Sequence, residues 1–224
     1  MKKATPFETW LVCFIICIPA IYTATIYASL PDSVPIHFDM SGNPNGYAGK
    51  ASLIFVVLLM AAVSAGLYLL IKNLPKIDPK KAAGQSPELY HKIALVLVIF
   101  LCALSIIIVY SSANRSFNIN KVLLPIMGLM FSVLGNYMHS IKPNYFVGFR
   151  TPWTLENEDN WRKTHQLVAR IWVPGGILIT ISTLLLPFMA GFIFMMSVTF
   201  LMVVIPGVFS YRYFKKHQHD NNSL

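Results

Sequence analysis

The chain has 224 residues, 55% of them hydrophobic and only 12% charged. That charged share is about half of a soluble domain's, which excludes a water-exposed globule and makes lipid the natural solvent. The net charge of +9 would suit a nucleic-acid binder, but the basic residues fall in short gaps between apolar runs, where they orient a membrane protein and meet lipid headgroups; no nucleic acid is expected.

A helix needs about 20 mostly apolar residues to cross the hydrocarbon layer, and six segments qualify. The first, at about 9–30, follows Lys2 and Lys3 as a secretory signal would. It is longer than a typical h-region and lacks a small-x-small cleavage site, so an uncleaved span is expected. Cys13 and Cys17 lie in it, four residues apart on one helix face, and Cys102 lies in a later apolar run. With no CxxC pair or Cys/His cluster, neither a disulfide framework nor structural zinc is expected.

Residues 31–50 form the first outer connection, PDSVPIHFDMSGNPNGYAGK. Val34, Ile36 and Phe38 alternate with Pro35, His37 and Asp39, a period-2 pattern. The run Gly42-Asn43-Pro44-Asn45-Gly46 is a dense turn signal, so a small ordered cap is predicted. The second span, 51–71, carries no charge. The connection 72–92 contains Pro75-Lys76-Ile77-Asp78-Pro79-Lys80, whose prolines predict an extended basic stretch rather than a continued helix. Spans at about 93–111 and 122–139 follow, the latter with Asn136 near its end.

The connection 142–166 is the richest. Thr154 reads as an N-cap before an acidic first turn of Glu156, Glu158 and Asp159, predicting an interfacial helix from Leu155 that feeds the fifth span. Glu158 with Arg162 and Asp159 with Lys163 have favourable i,i+4 order. Trp153 and Trp161 suit the headgroup layer. The last two spans, near 167–187 and 190–211, are separated only by Met189, Ala190 and Gly191, leaving two crossings or one long re-entrant hairpin open.

The fold class expected is therefore all-α: one polytopic bundle of six transmembrane helices in a single integral membrane domain, with a small ordered outer loop. Orientation follows from charge. With both termini cytoplasmic, Lys2, Lys3, Lys72, Lys76, Lys80, Lys81, Lys92, Lys142, Arg150, Arg162, Lys163, Arg170, Arg212, Lys215 and Lys216 lie inside, against Lys50, Arg115 and Lys121 outside.

No ionisable group sits mid-span, where one would mark a functional site by default. His37 and Asp39 are the one outward acid–imidazole pair close in sequence, too few ligands for a metal. His139 and His165 flank the second inner loop without a nucleophile motif, and His217 with His219 reads as a solvated tail. Arg150, between Gly148-Phe149 and Thr151-Pro152-Trp153, has two readings. It is either a guanidinium clamped on Glu156, a lipid phosphate or helix C-terminal carbonyls, or an ordinary topological charge. Pro19, Pro125, Pro174, Pro187 and Pro206, with the glycines at 175–176 and 207, predict either kinks and close helix packing or a ligand cavity.

Four motifs carry a resemblance: LPDSVPIHFDMSGNPNGYAGK at 30–50, LPKIDPK at 74–80, GNYM at 135–138 and KPNYFVGFRTPWTLENEDNWRKTH at 142–165. In this order they resemble the SdpI family of bacterial membrane proteins, over residues from about 30 to the fifth span; the last span and tail carry no such motif. The resemblance implies a six-helix protein of the bacterial cytoplasmic (inner) membrane that confers immunity to a secreted peptide toxin. It also implies toxin sensing in some members, which hold a transcriptional repressor at the membrane. On this reading His37, Asp39, Asn43, Gly46 and Tyr47 form a toxin-facing loop. Asn144, Gly148, Arg150, Pro152, Trp153 and Trp161 form a cytoplasmic structural or partner-docking loop. No catalytic residue and no cofactor are expected. Two other classes stay open: a transporter or lipid flippase without a mid-membrane charge, and a membrane enzyme acting on a headgroup through His37 or His139.

Overall fold

The computed structural model describes residues 6–39, 42–79, 86–114 and 117–221. Lys2, Lys3, Lys80, Lys81 and Arg115 fall outside them, as does the side chain of His219. Helix α1 (Pro6–Ile26) ends in a 3-10 turn and leads to a hairpin of β1 (Ser33–Phe38) and β2 (Pro44–Gly49). Helices α2 (Ala51–Ile77), α3 (Pro87–Ala113) and α4 (Asn120–Met138) follow; then a short α5 (Pro152–Glu156), α6 (Glu158–Leu185) and α7 (Phe188–Asn221). Among the described residues, six helices are long and apolar enough to cross a bilayer: α1, α2, α3, α4, α6 and α7. Large apolar side chains cover their outer surfaces, including Phe14, Leu58, Leu184 and Phe200, as a lipid-facing wall requires.

The bundle has two halves. Helices α1, α2 and α3 pack around Val12, Tyr68, Leu74, Tyr90 and Val98. Helices α4, α6 and α7 pack around Leu124, Ile179, Met195 and Met202. The tightest seam is α4 against α6. A Cβ on Gly176 would lie 2.4 Å from the Ser132 amide nitrogen and 2.5 Å from the Gly128 carbonyl oxygen. One on Gly135 would lie 2.6 Å from the Trp172 Cβ. The backbones thus touch where side chains are missing, the usual way helices associate in lipid. Across this contact the Ser132 hydroxyl donates to the Val173 carbonyl at 3.1 Å and Thr180 to the Pro125 carbonyl at 3.2 Å. At this seam the Pro-Gly-Gly run makes close packing rather than a cavity.

Several sequence-based expectations change. Pro75 lies inside α2, which runs on to Ile77. It removes one amide near the end of the helix, where the buried Leu74 side chain and the Asp78 N–H donated to the Leu74 carbonyl at 2.9 Å hold the last turn. The last two helices are both full length, and the break falls at Leu186 and Pro187, with Met189, Ala190 and Gly191 inside α7. Cys13 and Cys17 are exposed on the bundle surface as free thiols, and Cys102 is buried.

The hairpin also departs from simple alternation. Register irregularities between Pro35 and His37 and between His37 and Phe38 leave Val34 and Pro35 both buried and Ile36 exposed. The turn itself comes earlier than the dense Gly/Asn/Pro run. The Asp39 amide donates to the Asn43 carbonyl, the Asn43 amide donates to the Asp39 carboxylate at 2.8 Å, and Gly42 takes φ +83°. A carboxylate closing its own loop outweighs the local turn signal, so Pro44, Asn45 and Gly46 belong to β2.

Candidate functional site

The two ends of the bundle differ chemically. The hairpin docks at the end where α3 meets α4: the Ser112 hydroxyl donates to the Pro35 carbonyl at 3.0 Å, and Val34 and Leu30 pack with Leu53 and Ala113. Its outward surface carries the expected residues. His37 and Asn45 bond side chain to side chain, Asn43 is exposed, and Tyr47 is 53% exposed opposite the buried Pro35. Gly46 sits where a Cβ would meet the His37 Cβ at 3.0 Å, and the Asp39 carboxylate closes the turn by accepting from the Asn43 amide. Among the described residues no group of three or more metal-ligating side chains occurs here or elsewhere. What the hairpin offers is a polar edge with two exposed apolar side chains, Ile36 and Tyr47.

The opposite end holds the long loop 139–151. Its organising residue is Asn144, buried and saturated. The side-chain oxygen accepts from the amides of Phe146 (2.8 Å) and Val147 (2.6 Å), while the nitrogen donates to the carbonyls of Lys142 (2.9 Å) and Val147 (2.8 Å). All four bonding capacities of the amide are used, which fixes the loop without regular structure.

Behind it, Trp161 is 1% exposed and donates its indole N–H to the Ile141 carbonyl at 2.7 Å. The headgroup anchor expected from sequence is thus a core residue, because the loop folds over it and supplies its polar partner. Trp161 stacks on the buried His165, with ring centroids 4.1 Å apart. The imidazole Nε2 accepts the Phe149 amide proton at 3.0 Å, so Nδ1 carries the ring proton and gives it to the Trp161 carbonyl at 2.8 Å. Gly148 is required at this contact: its φ is +114°, and a Cβ there would lie 2.4 Å from His165 Nε2. His165, read from sequence as a flanking residue, is therefore the keystone of the loop.

The helix start differs from expectation. Thr151, not Thr154, caps α5; the two form a reciprocal capping box, with Pro152 exposed in the first turn. Thr154 is buried, and its hydroxyl closes the box by accepting from the Thr151 amide at 2.9 Å. Asn157 then caps α6 through a 2.8 Å bond from the Asn160 amide. Arg162 pairs with Asp159 at i,i+3, and the Tyr213 hydroxyl binds the same carboxylate. Trp153 donates its indole N–H to the Ser210 hydroxyl at 2.6 Å and packs edge-on to Tyr211. Asn160 reaches the Ser210 carbonyl at 2.9 Å. Ser210 and Tyr213, on a helix without a recognisable motif, thus tie the loop to α7. A polar residue in an apolar helix is the signal that could have found Ser210.

Arg150 stays exposed, one guanidinium nitrogen donating to the Tyr145 carbonyl. It lines an open groove of about 680 Å³ with Phe149, Val204, Gly207 and Val208. His139 belongs to a different groove, of about 440 Å³, with Asn136, Gln166 and Arg170. The sequence-predicted residues therefore form two groups at opposite ends: His37, Asn43, Gly46 and Tyr47 on the hairpin, and Asn144, Gly148, Trp153 and Trp161 inside the loop, with Arg150 and Pro152 at its surface.

Two family models match separate stretches of the chain. Residues 140–210 match the SdpI/YfhL protein family, covering the loop, α5, α6 and most of α7, and so reaching the last helix where no motif was evident. Residues 14–62 match a domain of unknown function, DUF1648, covering the latter part of α1, the hairpin and the start of α2. The chain is 26% identical over 206 residues to the "Immunity protein SdpI" of Bacillus subtilis (strain 168), an alignment spanning 90% of this chain and 93% of that protein. No solved structure matches the chain. The resemblance to the SdpI family thus extends to both halves of the bundle.

Proposed function

We propose that this chain is a non-enzymatic immunity protein of a bacterial cytoplasmic membrane, protecting its cell from a secreted antimicrobial peptide. The observation that carries the reading is the similarity, over nine-tenths of both chains, to a protein named for immunity. The site chemistry is consistent with it. Asn144, which organises the long loop, and Trp161 behind it spend their polar atoms on backbone groups of the loop, a supporting rather than a catalytic arrangement. His165 has both ring nitrogens engaged by backbone. The excess of lysine and arginine at the end opposite the hairpin supports a cytoplasmic location for that end and for both termini, which leaves the hairpin facing the exterior.

In that orientation the hairpin edge bearing His37, Asn43, Gly46 and Tyr47 is the toxin-facing surface. The loop end, where Arg150 and α7 are accessible, is the side on which a transcriptional repressor would be recruited if the protein also signals.

Survival tests the reading. Cells expressing the protein should outlive control cells when challenged with membrane-active peptides of neighbouring strains, and Tyr47→Ala with Ile36→Ser should weaken protection without lowering membrane abundance. Equal killing across such peptides, or vesicle flux that depends on this chain, would move the assignment to a transporter or flippase.

A further inference from the structure

The groove beside Arg150 continues across α7. Its wall residues Val204 and Val208 also line a second groove, of about 500 Å³, with Phe209, Arg212, Tyr213 and Lys216. The two grooves flank one ridge of the helix. Their floors are apolar and open outward, while exposed cations stand at the loop end: Arg150 on one flank, Arg212 and Lys216 on the other. Gly207 keeps the first groove open, since the nearest atom to a Cβ there is the Phe149 ring at 3.9 Å. Among the described residues no carboxylate pairs with Arg150 or Arg212, and Asp159 beside Tyr213 is already bound by that hydroxyl and by Arg162.

We infer that this saddle on α7 is a binding site for one anionic phospholipid of the adjoining leaflet, its acyl chains lying in the two grooves astride Val204 and Val208 and its phosphate between Arg150 and Arg212. Charge complementarity selects this occupant. A zwitterionic lipid would leave the flanking guanidinium groups without a net counter-charge, whereas an anionic headgroup supplies it where juxtamembrane cations act most strongly. Arginine suits the task because its planar fork donates to two phosphate oxygens at once. Arg150 keeps donors for that purpose, since its bond to the Tyr145 carbonyl uses one nitrogen.

Native mass spectrometry of the full chain in detergent with equimolar phosphatidylglycerol and phosphatidylcholine of identical acyl chains tests this. The wild type should retain phosphatidylglycerol preferentially. Arg150→Ala with Arg212→Ala should lower the preference roughly 30-fold, and Arg150→Lys with Arg212→Lys should restore most of it in a protein of wild-type melting temperature. Gly207→Leu, which fills the groove without touching backbone, should reduce retention of both lipids. Equal retention of the two lipids by the wild type, an unchanged preference in the alanine variant, or unchanged retention of both lipids in the leucine variant overturns the site. So does a homodimer that Gly207→Leu dissociates while lipid preference stays intact, because the saddle would then be a face for a second copy.

Discussion

Replacing Asn144 by alanine tests whether one amide organises the 139–151 loop. Truncation removes four hydrogen bonds at 2.6–2.9 Å, and the site is almost fully buried, at 1% exposure, so water does not readily replace them. At roughly 0.5–1.5 kcal/mol net per bond, the expected loss is about 4 kcal/mol, with the stranded Phe146 and Val147 amides placing it in the upper half of the range. For a chain of this length each kcal/mol lowers the melting temperature by about 2–4 °C, so a detergent-solubilised variant should melt on the order of 10 °C lower. Trypsin should cut after Arg150 in the variant much faster than in the wild type, since the loop that presents it has lost its internal support. Phe146→Ala serves as the control: its ring is exposed and its backbone N–H is retained, so its melt should move little. A variant at Asn144 that melts within a degree of the wild type, with Arg150 still protected, would refute the assignment of the loop's order to this side chain.

Gly176→Ala should cost about 1–3 kcal/mol or more, because the added carbon meets Ser132 and Gly128 backbone at 2.4 and 2.5 Å and α4 must move off α6; Gly66→Ala, with nothing within 4 Å, should be neutral or stabilising in the same melting assay. Gly148→Ala should destabilise by roughly 1–3 kcal/mol through its φ of +114° and its contact with His165, and near-ultraviolet circular dichroism should report the disturbed Trp161–His165 stack. Trp153→Phe removes the bond to Ser210 while keeping an aromatic ring against Tyr211; a loss of about 1 kcal/mol is expected, and a matching, non-additive loss in Ser210→Ala would show through a double-mutant cycle that the two act as one contact.

Residue content alone fixed the solvent and the six apolar helices found among the described residues, because span length and hydropathy are local sums that no tertiary contact can reverse. The contrast between 12% charged and 55% hydrophobic residues is of this kind. The motif-rich loop was legible as important for a related reason: Gly, Pro, Trp and Asn at such density mark backbone that is neither helix nor solvent-floppy. What was not legible is who touches whom. In water a helix advertises its buried stripe by an apolar face; in lipid the outward face is apolar too, so Val204 and Val168 look alike in sequence although one faces outward and the other is buried. Helix rotation therefore came only from tertiary structure, and with it the Gly128–Gly176 seam, the burial of Trp161 under its own loop, the placement of His165 against Gly148, and the anchoring of that loop to α7 through Ser210. Each depends on two segments distant in sequence arriving at one place, where shape and hydrogen-bond geometry, rather than composition, decide which contacts form.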